Sequence, residues 1–190
     1  NLAAALMLRA RDEGLPMPAG LILGTPEVDL TESGDSFHTN DGVDPGLRSL
    51  MTVNLLYADG HDLSHPYLSP LFGAFTKGFP PTLLTTGTRD LYLSNTVRMH
   101  RALRAAGIPA VLHVTEAGPH TGFPNSPEGA EIDRDHVGWP LEQRLGVDRR
   151  PFAARLDDGL EIRGEACFAR TDDEAGIEIA FKEPALLPRL

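Results

Sequence analysis

The chain has 190 residues, 41% of them hydrophobic and 23% charged, the make-up of one soluble globular domain of ordinary size. Its net charge of −10 argues against nucleic acid or an anionic membrane surface as partner, since both demand a basic face. No apolar run reaches the roughly 20 residues that cross a bilayer, and the lone Cys167 permits no internal disulfide, so the expected location is the cytoplasm.

Asn1–Gly14 reads as a helix. Leu2 to Leu8 are apolar almost all round, which predicts burial on every side. Arg9, Arg11, Asp12 and Glu13 mark its solvated end, and Gly14 its stop. The first residue is Asn and opens directly into this helix, so the expectation is a piece of a longer protein. Pro16 and Pro18 break the helix. Ala19–Thr25 then suits a short strand covered on both faces.

Pro26 to about Pro45 is polar and turn-rich and reads as loop. Leu47–Tyr57 predicts a helix, Pro81–Thr86 a second buried strand, and Ser94–Ala106 a further helix with Ser94 as N-cap. Met99, Ala102, Leu103 and Ala106 share one face of that helix, and Gly107 and Pro109 end it. Ala110–Thr115 predicts a third strand. Helix, strand, irregular insert, strand, helix, strand is the order of an α/β fold with a parallel sheet and flanking helices. The character changes near Gly138. Leu160/Ile162, Cys167/Phe168 and Ile177/Ile179/Phe181 partly alternate, with turns at Asp157–Gly159 and Asp172–Gly176. The division is therefore an α/β body over 1–137 and a divergent tail over 138–190, which reads either as a small β-meander or as a poorly ordered extension.

Two motifs carry chemistry. Gly87-Thr88-Arg89-Asp90-Leu91 directly follows the second strand, and Glu116 to Phe123, with Pro119-His120-Thr121-Gly122-Phe123, follows the third. One helix and one strand separate Asp90 from His120. A helix of about 13 residues runs roughly 20 Å one way, and a strand of about 6 returns roughly the same distance. Both residues should therefore emerge at the carboxyl ends of neighbouring parallel strands, where open α/β sheets place their sites. A carboxylate beside a histidine fixes its tautomer and stabilises the imidazolium formed when it takes a proton. Either residue alone would pass as an ordinary loop residue; the spacing and flanks point to an acid–base couple.

With these motifs in view, the chain over about 1–132 resembles the hormone-sensitive-lipase-like branch of the α/β-hydrolases, bacterial esterases of short acyl esters. Asn1-Leu2-Ala3-Ala4 looks like the start of the helix after the nucleophile motif. Asp29-Leu30-Thr31 with Ser33 and Ser36, and Ser64 to Leu71 (SHPYLSPL), resemble further segments of the family. The resemblance implies the C-terminal half of an α/β-hydrolase, with Asp90 as triad acid and His120 as general base. It implies no cofactor, a small-molecule ester as substrate, and either a homodimer or association with a chain that supplies the N-terminal half. The sequence departs from the family in three ways. Leu91 stands where proline is frequent, one extra residue separates His120 from Gly122-Phe123, and no serine has a G-x-S-x-G context. The oxyanion glycines and nucleophile are expected upstream of Asn1. Taken alone, the chain is expected to be inactive and marginally stable. A non-catalytic remnant or interaction module is the rival reading, and peptidase or lactonase chemistry shares the same pair.

His61, Asp62 and His65 have a spacing that can hold a metal on a helix, but Gly60 and Pro66 argue against a helix there. No metal site is predicted. His113 is expected in the sheet and His100 on a helix surface, while His38 and His136 have no evident partner. Phe37, Leu47, Leu50, Met51 and Leu55 fit either an acyl pocket or ordinary core. Trp139 is placed to pack the tail.

Overall fold

A computed structural model describes residues 1–123 and 125–132 in full, and the backbone of 149–155, 161–169 and 178–180. The chain divides into two compact units, Asn1–Asp133 and Arg134–Leu190.

The first unit runs α1 (Leu2–Asp12), β1 (Leu21–Gly24), α2 (Ser36–Thr39), α3 (Met51–Ala58), a 3-10 turn at Pro70–Phe72, β2 (Thr82–Gly87), α4 (Leu93–Ala105) and β3 (Ala110–Thr115). Residues 127–132 form a last helical turn. The three strands make one parallel sheet in the order β1-β2-β3, with Leu21 opposite Thr82 and Thr82 opposite Ala110. β2 is central, and all six of its residues, threonines included, are buried, as befits a strand covered on both faces. Leu84 of β2 packs with Met99 and Leu103 of α4 and with Leu21, Leu23 and Ile108. Met99, Leu103 and Leu84 are wholly buried, each stabilising the unit by about 1.5–3 kcal/mol.

Gly14 and Gly107 close α1 and α4 in the same way. Each adopts a left-handed φ, +67° and +73°. Around them Gly14 N donates to Arg11 O and Leu15 N to Ala10 O, and Gly107 N to Arg104 O and Ile108 N to Leu103 O. This pair of bonds is the Schellman motif, and it satisfies carbonyls that the helix end would orphan.

Four expectations change. α1 is not buried all round: Ala4, Ala5, Leu8 and Ala10 face inward, whereas Leu2 is 73% and Leu6 53% exposed. Leu2 and Leu6 are four residues apart and share the outer face. β1 alternates buried and exposed rather than being covered twice, and Ile22 is 39% exposed. Ser94 is not an N-cap. α4 starts one residue earlier, and Ser94 instead exchanges two bonds with Ser36, each backbone N–H donating to the other's Oγ at 2.9 Å. The helix predicted from Leu47 begins at Met51, because Leu50 N and Ser49 Oγ donate to the Glu32 carboxylate instead.

An ion pair between buried Asp29 and partly exposed Arg98 fastens α4 to the loop after β1. Asp29 has no exposure; its Oδ1 accepts from Thr31 N at 3.0 Å, and its Oδ2 from Ser33 Oγ and Arg98 Nη1 at 2.7 Å each. Burial pushes the Asp29 carboxyl up, but the bonds from Ser33, Thr31 and Arg98 outweigh it and hold the group below its ordinary value. A depressed folded-state value contributes stability above the unfolded value of 3.8, lost as pH falls through the folded one. Arg98→Met should lower stability by about 1 kcal/mol, since Arg98 is partly solvated and the other donors remain. Thermal unfolding at neutral pH measures this.

The second unit contains an antiparallel meander, β4 (Arg149–Arg155), β5 (Glu161–Ala169) and β6 (Glu178–Ala180), with Phe152 opposite Gly164 and Cys167 opposite Ala180. Pro151 sits on β4, which among the described residues pairs with β5 alone, the edge position where proline is found in sheets. The turns expected at 157–159 and 172–176, together with Leu160, Ile177, Phe181, His136, Trp139 and Pro140, lie outside the described residues. Among the described residues no helix is long and apolar enough to cross a membrane.

Candidate active site

The acid and histidine loops leave the carboxyl ends of β2 and β3, whose last residues, Gly87 and Thr115, are register partners. Backbone bonds lace the loops together. Thr88 N donates to Thr115 O and Arg89 N to Gly118 O, both at 3.0 Å, while Ala117 N donates to Thr88 Oγ1 at 2.8 Å. Gly87 and Gly118 touch backbone to backbone, and a Cβ on Gly87 would collide with the Gly118 carbonyl.

This lacing delivers Asp90 to His120. Asp90 has no exposure. Its Oδ1 lies 3.2 Å from His120 Nδ1 and also accepts from Tyr92 N at 2.9 Å. Its Oδ2 accepts from Thr86 Oγ1 at 2.7 Å. The bond from Tyr92 N, two residues on, is the local Asx turn that aspartate forms readily. The Tyr92 ring meets the imidazole edge-on, 5.1 Å between centroids and 89° between planes.

With Nδ1–H given to Asp90, the lone pair of His120 Nε2 is left to accept a proton. A quarter of the His120 side chain is exposed. The bond from Asp90 raises the imidazole pKa above 6.5; burial opposes this, and the negative charges of Asp90, Asp44 and Glu27 reinforce it. Two signs follow. The stability that this raised value contributes is complete below 6.5 and is lost as pH rises through the folded value. Any reaction needing His120 as base runs the other way. Its kcat/KM should therefore fall on the acid side of a midpoint above 6.5, measured as a pH–rate profile of the full-length protein.

His120 lies in a turn closed by Gly122 N to Pro119 O at 2.9 Å. Thr121, its third residue, has φ +69° and Gly122 has φ +68°. A β-branched residue in this region costs about 1–3 kcal/mol, which the surrounding structure must offset.

Several neighbours were not singled out beforehand. Thr86 was one of a run of strand residues, and its role shows only once its hydroxyl is seen against Asp90. Asp44, in the loop between α2 and α3, has no exposure and accepts from His120 N at 3.0 Å and Leu91 N at 3.1 Å. Asp44-Pro45-Gly46 forms a local turn, with Gly46 N donating to Asp44 Oδ1 at 2.9 Å. Half-buried Glu27 accepts from Asn54 Nδ2 at 2.9 Å. Burial raises the Glu27 carboxyl, although bonds from Asn54 and the Tyr92 hydroxyl oppose it; burial and Glu27 in turn push the Tyr92 phenol up. Phe37, Leu91 and Tyr92 form a small core against which Leu47 and Leu50 pack, so these leucines and Phe37 brace the acid loop. Leu55 of α3 is 57% exposed. His61 and His65 lie in turns, and among the described residues no three His, Cys, Asp or Glu are grouped to hold a metal.

Residues 1–124 match the model of a family described as having the alpha/beta hydrolase fold. This chain belongs to the α/β-hydrolase family. It is 33% identical over 164 residues to an esterase of Acinetobacter venetianus, a match covering 83% of this chain and 49% of the relative. Among solved structures, esterase E25 is 39% identical with a TM-score of 0.69, over 73% of this chain and 44% of that one. An esterase from the bacterial hormone-sensitive lipase family is 29% identical with a TM-score of 0.69, over 74% of this chain and 48% of that one. The α/β-hydrolase chain thus spans about half the length of the proteins it matches. Its Asp90 and His120 stand where the strand and helix lengths place them, at one end of neighbouring strands.

Proposed function

We propose that the protein is a serine-type carboxylic-ester hydrolase of short acyl esters, in which Asp90 orients His120 and His120 is the general base. The observation that carries this is the buried Asp90 carboxylate, 3.2 Å from His120 Nδ1, at the carboxyl ends of adjacent parallel strands. The esterases resembling the chain support it.

A serine hydroxyl outside these 190 residues attacks the ester carbonyl as His120 Nε2 takes its proton. Backbone N–H groups hold the resulting oxyanion. The tetrahedral adduct collapses by breaking the ester C–O bond, and His120 passes its proton to the departing alcohol. Water, deprotonated by the same nitrogen, then releases the acid and restores the serine. Asp90 keeps its negative charge throughout and stabilises the transient imidazolium. Among the seven serines of the chain none has a G-x-S-x-G context, so the 190-residue piece alone should hydrolyse p-nitrophenyl butyrate no faster than background, while the full-length protein turns it over. Absence of ester hydrolysis by the full-length protein overturns the proposal, and His120-dependent turnover by the piece overturns the division of labour.

The missing serine context also motivates a second reading, a non-catalytic interaction module. The coding sequence preceding Asn1 separates the two. An in-frame G-D-S-x-G-G-type elbow supports the enzyme, and a stop codon supports the module.

A further inference from the structure

Asp44 is a buried carboxylate outside the Asp90–His120 couple, and its bonds converge on that couple. One oxygen, Oδ2, accepts from Leu91 N at 3.1 Å and from His120 N at 3.0 Å. The other, Oδ1, accepts from Gly46 N at 2.9 Å and Leu47 N at 3.2 Å, which fixes the carboxylate within its own loop. Asn40, four residues earlier, donates from Nδ2 to Asp90 O at 2.8 Å. The Asp90 carbonyl and the Leu91 N–H belong to one peptide unit. That unit is therefore gripped at both ends, by Asn40 and by Asp44, from a single turn joined by Asp44 N to Asn40 O at 3.0 Å. Proline at position 91, frequent in the family, would have no N–H to give.

We infer that Asp44 is a positioning residue for the hydrolytic reaction: its Oδ2 ties the acid loop to the histidine loop and thereby sets the Asp90–His120 geometry. The inference rests on the ester-hydrolase reading. A charged acceptor holds a backbone N–H more strongly than a neutral one does. Burial pushes the Asp44 carboxyl up, but donors from Gly46, His120, Leu91 and Leu47 outweigh it and hold it below its ordinary value, so the acceptor stays charged. The charged or titratable groups bearing on His120 are Asp90 from the acid loop, Asp44 from the α2–α3 loop, Glu27 from the loop after β1 and the Tyr92 ring at the head of α4.

Asp44→Asn in the full-length protein tests this. An amide can present one oxygen but not two, so its NH2 faces either the Leu91 and His120 donors or the Gly46 and Leu47 donors. The expected result is a kcat for p-nitrophenyl butyrate lower by roughly 10- to 100-fold, with KM little changed, because the reacting groups are displaced rather than the ester site removed. Loss of a negative charge should also move the His120 imidazole titration, followed by NMR, to lower pH. Asp29→Asn provides the comparison. It removes another buried carboxylate, whose partners lie outside both loops, and should lower stability without shifting that titration. Unchanged kcat and an unchanged His120 midpoint in Asp44→Asn overturn the inference. If that variant does not fold, amide exchange in the wild type decides: slow exchange at both Leu91 and His120 N–H supports the tie, and exchange at open-loop rates refutes it. The NMR readouts need no activity, so they stand apart from a failure of the ester-hydrolase reading.

Discussion

His120→Ala in the full-length protein should lower kcat/KM for p-nitrophenyl butyrate by about 10³-fold or more, with the fold intact. The ring is partly exposed and is not part of the core between β2 and α4, so its removal leaves that packing in place. On the proposed mechanism the loss is chemical, because the variant lacks the imidazole that would take the serine proton while Asp90 balances the charge. Asp90→Asn should cost a similar amount, roughly 10⁴-fold, for a different reason. Asp90 Oδ1 faces Nδ1 of the imidazole and Oδ2 accepts from Thr86 Oγ1. An amide oxygen serves only one of these, and an amide NH2 turned to Nδ1 would favour the tautomer with its proton on Nε2, which cannot act as base. Steady-state kinetics with circular dichroism on each variant check both the size of the loss and the integrity of the fold.

Gly87→Ala is expected to be the most damaging single-methyl change in the first unit. Its Cβ would meet the backbone of Gly118, not the end of a flexible side chain. Backbone can yield only by separating the loops, which breaks the Arg89 N to Gly118 O bond and pulls His120 from Asp90. Overpacking of this kind costs about 1–3 kcal/mol or more, and a displacement near 1 Å at the couple costs about 10²-fold in rate. Gly24→Ala, at the end of β1, is the contrast. Its Cβ would stand 3.6 Å from Thr85 Oγ1, an ordinary contact, and should be nearly neutral. Melting temperature and kcat/KM of the two variants, measured together, check the prediction.

The strands β2 and β3 were legible because each is a short run rich in Leu, Val and Thr that follows a proline, and both lie within one residue of their expected limits. The closeness of Asp90 and His120 was legible from length alone, since one helix out and one strand back cancel. β1 was misread because four residues, Leu21–Gly24, are too few to reveal an alternation whose exposed members are Ile22 and Gly24. Ser94 has the chemistry of an N-cap, but Ser36 competes for it across the fold, and no local rule anticipates that bond. Asp44 was hidden for the same reason. Its turn with Gly46 is local, whereas its bonds to Leu91 and His120 span 47 and 76 residues. Leu2 and Leu6 were assigned to a core because composition records how apolar a helix is, not which of its faces meets a partner.

Labelling the full-length protein with a fluorophosphonate, followed by peptide mapping, tests the central claim most directly. The reagent bonds covalently to a serine only when a neighbouring base activates it. One serine should be labelled, outside Asn1–Leu190, at a rate that falls by orders of magnitude in His120→Ala. Labelling at the same rate in that variant, or on a serine within these 190 residues, would contradict it.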